Sequence, residues 1–187
     1  MSHHISKERS RISAMFNGIA ASYDFLNHLL SLGIDKYWRR VLIREIKAKD
    51  PEKALDIATG TGDIAISLYK AGISVTGADI AEKMVDIARE KCNKLVESTT
   101  PKPVFHIASA DDLPYESQSF QLVTIGFGIR NFENREGALQ EIYRVLTPGG
   151  ELAILEFAEP ENRIWRGLYR FYFHNILPIL GRLISKD

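Results

Sequence analysis

The ten residues Asp56–Ala65, with the sequence DIATGTGDIA, decide the fold of this 187-residue chain. Residues 53–58, a mostly apolar run, predict a short β-strand, and the residues after the glycine turn begin a helix. Gly60 and Gly62 let the backbone turn tightly and approach a ligand without an intervening Cβ. Asp79 ends the next apolar run, where a carboxylate can accept both hydroxyls of a ribose. The pattern therefore predicts an adenosine-containing ligand.

Two ligand classes fit this turn, because Gly60, Gly62 and Ala65 also match the GxGxxG/A pattern of dinucleotide-binding proteins. A dinucleotide places its pyrophosphate at the N-terminus of the helix, where Asp63 stands, with Asp56 one strand-length back. Like charges ~4–5 Å apart repel by roughly 3–4 kcal/mol at an effective dielectric constant of 20. S-adenosylmethionine carries a sulfonium and an ammonium group and no phosphate. Charge therefore favours S-adenosylmethionine. The alternatives are a NAD-like ligand and a nonfunctional turn, in which Asp63 only favours the helix dipole and Asp56 is a solvated loop residue.

Composition excludes several classes of protein. With 45% hydrophobic residues the chain has enough apolar material for one domain with a full core. The 24 basic and 24 acidic side chains balance, so we expect no nucleic-acid partner. The single cysteine, Cys92, excludes a disulfide framework and fits a reducing cytosol. The sequence also indicates no signal peptide, no membrane-spanning run and no metal site, so the expected location is cytoplasmic.

The apolar periodicity predicts an α/β protein with a helical N-terminal cap. Residues 10–47 have helical spacing that is interrupted near residues 31–35. Strands are predicted at 53–58, 73–79, 103–107, 121–127 and 151–157, and helices at 63–71, 82–96 and 134–146. This alternation predicts a doubly wound, mostly parallel sheet with right-handed crossovers. We expect a single domain with a cap at 1–50, a cofactor-binding core at 51–157 and a helical segment at 158–187.

Ligands of such sheets bind at the carboxyl ends of the strands, and the residues that carry chemistry cluster there. The predicted cofactor contacts are Asp56, Ala58, Gly60, Thr61, Gly62, Asp79, Ile80, Ser109, Ala110, Asp111 and Gly126. Within this set, residues 109–111 follow the third strand, where a backbone N–H and a short polar side chain can bind the edge of an adenine. The alternative is an ordinary polar loop before Leu113 and Pro114.

Three further motifs extend over nearly the whole chain. They are YDFLN at 23–27 with Leu30, Ser31, Gly33 and Trp38–Arg40; FGIRN at 127–131; and RVLTPGG at 144–150, which continues to Glu156 and Phe157. Together with the glycine turn, these motifs resemble the ubiquinone/menaquinone C-methyltransferases, a family of class I S-adenosylmethionine-dependent enzymes.

The sequence departs from this family's pattern at several positions. Asp35, Thr147 and Ala158 stand where the family usually has His, Lys and Ser. In the expected cofactor pocket, Gly126 replaces a frequent Ser, and Ser109 replaces Asn or Asp. The family normally continues with two antiparallel edge strands for which no residues remain here, so we expect the C-terminal edge strands to be missing and the fifth strand to have an open edge.

The resemblance implies methyl transfer from S-adenosylmethionine to a ring carbon of a polyprenylated quinol, either demethylmenaquinol or a methoxy-benzoquinol. Only the reduced ring is electron-rich enough to attack a sulfonium methyl. Arg130 is expected to stabilise the developing oxyanion and to position a water that accepts the proton. Asn131 is expected to bind the second ring oxygen, and Tyr23 to complete the pocket or hold the methionine end of the cofactor. The alternatives are a salt bridge from Arg130 to Glu133 or Glu136, packing by Tyr23, and helix capping by Asn131.

Residues 164–184 interleave aromatic side chains, leucines and arginines, which suits either a helix in a membrane interface or a cap over the substrate pocket. The expected partner is the lipophilic quinol, with a peripheral contact at the inner face of the membrane and a homodimer left open. Three rival functions remain: methylation of another lipophilic small molecule, a catalytically silent methyltransferase-like module, and a NAD-dependent reductase.

Overall fold

The computed structural model describes residues 6–31, 33–96 and 98–158, together with Asn162 and Arg166. Apart from residue 158 and those two positions, the predicted C-terminal helical segment lies outside the described residues. The membrane-interface or pocket-cap role predicted for residues 164–184 lies outside them as well.

Five parallel strands form one sheet in the order β3–β2–β1–β4–β5. The strands are β1 (Lys53–Ile57), β2 (Ser74–Asp79), β3 (Val104–Ile107), β4 (Phe120–Gly126) and β5 (Leu146–Leu155). The chain progresses outward through β1, β2 and β3 and then crosses back to β4, so the strand order reverses between β1 and β4. In open α/β sheets a crevice forms at such a reversal, and ligands bind there. The predicted doubly wound parallel sheet is confirmed.

The helices cover both faces of the sheet and its carboxyl edge. They are α1 (Lys7–Ile19), α2 (Tyr23–Leu30), α3 (Ile34–Lys47), α4 (Asp63–Lys70), α5 (Glu82–Asn93) and α6 (Arg135–Val145), with 3-10 turns at Ala20–Ser22 and Ile129–Asn131. The predicted interruption between residues 31 and 35 is present, because α3 begins at Ile34. The additional turn at Ala20–Ser22 was not predicted. Among the residues that the structure describes, none of the helices combines the length and hydrophobicity needed to span a bilayer.

The last strand begins earlier than its sequence pattern predicts. We expected helix to residue 146 and strand from 151 to 157, but α6 ends at Val145 and β5 starts at once. Leu146 pairs with Phe120 and Glu151 pairs with Leu122, so the intervening Pro-Gly-Gly segment is an irregularity within the strand rather than a loop before it. The predicted helix 82–96 is also shorter than expected and ends at Asn93.

Two apolar clusters fix the sheet between its helices. On one face Leu68 of α4 and Val85 of α5 pack against the sheet, and on the other face Ile142 of α6 does the same. Neighbouring strand residues such as Leu122 and Val123 belong to opposite clusters, as strand geometry requires. Because β1 and β4 are buried on both faces, they consist of nearly continuous apolar runs.

Candidate active site

A cavity of about 780 Å³, counted out to its open mouth, lies at the carboxyl edge of the sheet. The ends of β1, β2 and β4 form its floor, and α1 with the first residue of α2 form its roof. Most of the predicted cofactor residues line it: Ala58, Gly60, Asp79, Ile80, Ser109, Ala110, Asp111 and Gly126. Asp56, Thr61 and Gly62 were predicted with them but do not border the cavity.

The two turn glycines have different structural roles. Both have positive φ, 53° at Gly60 and 82° at Gly62, a region that side chains other than glycine rarely adopt. Gly60 borders the cavity, whereas Gly62 is buried against α5 and β3. A Cβ on Gly62 would lie 3.0 Å from the Cβ of Ala88 and 3.2 Å from the ring of Phe105. Gly62 therefore brings the first residues of α4 close to the sheet.

Asp79 presents a fixed carboxylate to the cavity. Its Oδ2 accepts the backbone N–H of Gly60 at 2.8 Å, and its Oδ1 accepts that of Ala81 at 2.9 Å. Burial raises the pKa of Asp79, and the hydrogen bonds from backbone amides oppose that rise. Each oxygen keeps a second lone pair, so the carboxylate can also accept the two hydroxyls of a ribose. This arrangement fits the role predicted from the sequence.

Asp56 supports the floor from beneath it. Its side chain is 1% exposed and accepts hydrogen bonds from the hydroxyls of Thr124 at 2.6 Å and Thr59 at 2.7 Å. Burial raises the pKa of Asp56 to about 6. The alternative of a solvated loop residue is therefore wrong, and the residue joins β1 to β4 and to the loop that follows β1.

Asp63 does not face the cavity, contrary to the charge argument made from the sequence. Its carboxylate is ion-paired with Arg39 of α3 and with Lys91 of α5, the latter at 2.8 Å. Burial alone would raise the pKa of Asp63, but the hydrogen bonds and charges of Lys91 and Arg39 lower it. Because two cations neutralise this carboxylate, it cannot provide the predicted repulsion of a phosphate.

The helix α1 closes the cavity beside residues 109–111. Arg9 donates to both carboxylate oxygens of Asp111, at 2.7 and 3.0 Å, and Ser109 donates to one of them at 2.5 Å. Further along the helix, the hydroxyl of Ser13 donates to the carbonyl of Ile80 at 3.0 Å. Asp111 thus lines the cavity while its carboxylate holds α1 in place.

Two of the three predicted catalytic residues line the cavity. Tyr23 is the first residue of α2, and a Cβ on Gly60 would lie 3.8 Å from its ring, so the ring covers the glycine turn. Burial raises the pKa of Tyr23 above its ordinary value. Asn131 also borders the cavity, and Asn134 is the residue that caps α6, by accepting from the N–H of Gly137 at 2.9 Å. The capping alternative for Asn131 is therefore wrong.

Arg130, the third predicted catalytic residue, lies beside the cavity. Its side chain is 53% exposed, and its Nη1 donates to Oε1 of Glu156 at 3.2 Å. Its guanidinium carbon lies 5.3 Å from the centre of the Phe157 ring. The sequence offered Glu133 or Glu136 as alternative salt-bridge partners of Arg130, but the observed partner is Glu156, directly after β5. No role was predicted for Glu156, although the residue belongs to the third motif.

An aromatic cluster adjoins Arg130. The ring of Phe127 lies 4.6 Å from that of Phe157 and 6.3 Å from that of Trp38, measured between centroids. Phe127 borders the cavity and has a φ of 59°, a strained conformation for an aromatic residue. Phe127 turns the chain directly after β4 and gives the cavity an aromatic wall that continues through Phe157 to Arg130.

The chain is similar over nearly its whole length to known methyltransferases. Residues 4–187 match the model of the ubiE/COQ5 methyltransferase family. The chain is 44% identical over 187 residues to a demethylmenaquinone methyltransferase of Chlorobaculum parvum, with 97% of this chain and 74% of that protein covered. It is 40% identical over 185 residues to the ubiquinone/menaquinone biosynthesis C-methyltransferase UbiE of Geotalea daltonii, with 97% and 78% covered.

A solved SAM-dependent methyltransferase from Methanosarcina mazei has the same fold, with a TM-score of 0.53 and 28% identity. The similarity covers 65% of this chain and 61% of that one. On the family match and the curated relatives, the chain belongs to the ubiE/COQ5 methyltransferase family.

Proposed function

We propose that the protein methylates a ring carbon of a polyprenylated quinol, with S-adenosylmethionine as methyl donor and demethylmenaquinol as the preferred acceptor. The observation that carries this proposal is a single cavity that borders both the Asp79 carboxylate and the Phe127–Asn131 segment. The names of the curated relatives, a demethylmenaquinone methyltransferase and a ubiquinone/menaquinone C-methyltransferase, support the choice of acceptor.

The cofactor is proposed to lie across the floor of the cavity. Asp79 accepts the ribose hydroxyls, because its oxygens are already aligned by the amides of Gly60 and Ala81. The adenine lies towards residues 109–111, which border the same cavity one strand further from the reversal. The methionine end then extends past Gly60 and beneath Tyr23, so the methyl group points towards Phe127 and Asn131.

The acceptor must lose a proton as the methyl group is transferred. A phenol with a pKa of ~10 costs about 4 kcal/mol to ionise at pH 7. The guanidinium of Arg130 stays protonated, so it serves as an oxyanion stabiliser rather than as a base. Glu156 occupies one of its five N–H donors and fixes its direction, which leaves others for a ring oxygen. A bound apolar ring would displace water from Arg130 and strengthen this interaction.

The lipophilic acceptor also indicates where in the cell the enzyme acts. The polyprenyl tail of the acceptor resides in the bilayer, so we infer a cytoplasmic enzyme that meets its substrate by peripheral contact with the inner face of the membrane. Flotation with phospholipid vesicles that contain demethylmenaquinol tests this inference. Recovery of all the protein in the lipid-free fraction would contradict it.

The test of function is the transfer of a labelled methyl group from S-adenosylmethionine in detergent. The acceptors are reduced demethylmenaquinol, a methoxy-benzoquinol and the oxidised demethylmenaquinone. We expect label on the quinols only, with the higher rate on demethylmenaquinol, because the oxidised ring is electron-poor. Absence of label on both quinols in a chain that binds S-adenosylmethionine would exclude the proposed acceptor class.

Variants at Arg130 test its proposed role in the same assay. Arg130→Ala should abolish transfer while the Kd for S-adenosylmethionine stays within a few-fold, because the side chain does not border the cavity floor. Arg130→Lys keeps the charge and loses the planar pair of donors, so it should retain partial activity. Loss of cofactor binding in Arg130→Ala would mean that its role is misplaced.

A further inference from the structure

A group of polar side chains outside the cavity joins α2, α3 and α5 to the glycine turn. We call this group the ionic clamp, and its members are Asp24, Arg39, Thr61, Asp63 and Lys91. None of them is among the residues that border the cavity. Their side chains are partly or fully buried, since Lys91 is 28%, Asp24 34% and Asp63 31% exposed.

Lys91 is the centre of the clamp. Its Nζ lies 2.5 Å from Oδ2 of Asp24, 2.8 Å from Oδ1 of Asp63 and 2.9 Å from Oγ1 of Thr61. An ammonium group has three N–H donors, so these acceptors use all of them. The hydroxyl of Thr61 in turn donates to Oδ1 of Asp24 at 2.5 Å. The network therefore has one consistent set of donors and acceptors.

The clamp acts on a residue that does line the cavity. Asp24 directly follows Tyr23 in the first turn of α2, and Thr61 directly follows Gly60 in the glycine turn. Two adjacent contacts therefore hold α2 on this turn: the ring of Tyr23 on Gly60, and the carboxylate of Asp24 on Thr61. A change in the second contact shifts the first, because neighbouring residues of a helix move together.

Electrostatics explains why a cation is needed at this place. Lys91 contacts one oxygen of Asp24 and one of Asp63, so the two carboxylates approach each other closely on either side of the ammonium group. Without Lys91, Asp63 would still pair with Arg39, which also pairs with Asp35 at 2.5 Å. Among the described residues, Asp24 would keep only its hydrogen bond from the hydroxyl of Thr61. The uncompensated repulsion would push the start of α2 away from the glycine turn.

We infer that Lys91 is a positioning residue for the cofactor, which holds Tyr23 over the glycine turn through its contacts with Asp24 and Thr61. The inference rests on the proposed function only in taking S-adenosylmethionine as the ligand. Lys91 lies on α5, outside the cavity, and in this role it affects cofactor binding on the other side of the glycine turn.

Titration calorimetry with S-adenosylmethionine tests the inference. Lys91→Met should raise the Kd about tenfold, because it breaks a partly buried, fully hydrogen-bonded charge cluster. Lys91→Arg should keep the Kd within about threefold, since it restores the charge. Lys94→Met is the matched control, because Lys94 is exposed just after the end of α5. Its Kd should equal that of the wild type.

A double-mutant cycle with Tyr23→Ala separates positioning from general stabilisation. If Lys91 acts through Tyr23, Lys91→Met adds no further loss of affinity in the Tyr23→Ala background. Additive losses would overturn the inference, and so would an unchanged Kd for Lys91→Met, even if its melting temperature fell. Failure of the wild type to bind S-adenosylmethionine would instead overturn the proposed function and the inference together.

Discussion

The floor and the roof of the cavity are held in place by different interactions. On the floor, the carboxylate of Asp79 is fixed by backbone amides, and that of Asp56 by hydroxyls in the core. The roof helix α1 has no fully buried residue. It is attached by polar contacts, such as the pair between Arg9 and Asp111, and by the partly buried ring of Phe16, which packs against Ala81 and Met84. The floor is therefore part of the folded core, and the roof is docked onto it.

This difference predicts different sensitivities for the two sides. Buried hydrogen bonds are little affected by salt, and a buried carboxylate makes stability depend on pH. Partly exposed ion pairs contribute only ~0–1 kcal/mol and are screened over ~10 Å at 0.1 M salt. The floor should thus determine whether the cofactor binds, and the roof should determine how fast it leaves.

The largest effect is expected from Asp79→Asn, which breaks the floor. The substituted amide has an NH₂ group that must face the backbone N–H of Gly60 or Ala81, so that N–H loses its acceptor and two donors repel each other. We expect the Kd for S-adenosylmethionine to rise about a thousandfold, or about 4 kcal/mol. Calorimetry measures it, with Asp86→Asn on the exposed side of α5 as control. A change below about tenfold would show that the ribose does not bind at Asp79.

The next largest effect concerns Asp56 and pH. Its pKa of about 6 in the folded protein exceeds the ordinary ~3.9 of the unfolded chain, so the native state binds the proton more tightly. The stability that this group contributes is complete below pH ~4 and is lost as the pH rises through ~6, a change of about 3 kcal/mol. Asp56→Asn removes this titration.

Urea unfolding of both proteins at pH 4.5 and 7.5 measures the effect. Both proteins contain the other titrating groups, so their contributions cancel when the unfolding free energy of the variant is subtracted from that of the wild type. These groups include Asp35, Asp63 and Glu141, whose lowered pKa values make stability change with pH in the opposite direction. The wild type should lose about 2 kcal/mol relative to the variant over this range. An equal difference at the two pH values would contradict a buried carboxylate in the floor.

A third prediction tests how closely the floor is packed. A Cβ on Gly128 would lie 2.5 Å from the Cβ of Ala58, where the loops after β1 and β4 meet. Gly128→Ala should cost about 2 kcal/mol of stability, because neither backbone can move without disturbing the sheet. Adding Ala58→Gly removes the opposing methyl group at a position with a φ of 53°, so it should restore most of the loss. Thermal unfolding of both variants measures these changes in stability. If the double variant recovered no stability, the result would contradict this packing.

Local sequence patterns were sufficient to predict the fold. The strands β1, β2 and β4 were placed within one residue at either end, because each is a short apolar run next to a turn. The glycine turn likewise placed Ala58, Gly60 and Asp79 at the same edge of the sheet, where they line one cavity. The start of β5 was misplaced, because pairing with β4 extends the strand through a Pro-Gly-Gly segment that locally indicates a turn.

Contacts between residues distant in sequence could not be predicted in this way. Asp63 was taken to face the ligand, but its partners lie 24 residues before it and 28 residues after it. Arg130 was given acidic partners on the following helix, whereas the observed partner, Glu156, is 26 residues away at the end of β5. Charge signs and spacing identify candidate residues, and only the assembled sheet determines which of them meet.

The smallest effect is expected from the roof. Arg9→Ala removes the pair with Asp111, whose side chains are 26% and 13% exposed, so the equilibrium cost should be about 1 kcal/mol at low salt. We expect faster dissociation of S-adenosylmethionine, by about fivefold, with little change in the association rate, because the roof closes after the cofactor has entered. Stopped-flow displacement measures both rates.

Salt provides the control for this last comparison. Raising sodium chloride from about 50 to 500 mM should accelerate dissociation from the wild type towards the rate of Arg9→Ala, and should leave that variant almost unchanged, because the screened pair is already absent. Arg11→Ala, at an exposed position of the same helix, should behave as the wild type. If Arg9→Ala retained the full salt response, the roof would be held by interactions other than this pair. The salt-sensitive attachment of the roof would then be assigned to α2 and its ionic clamp.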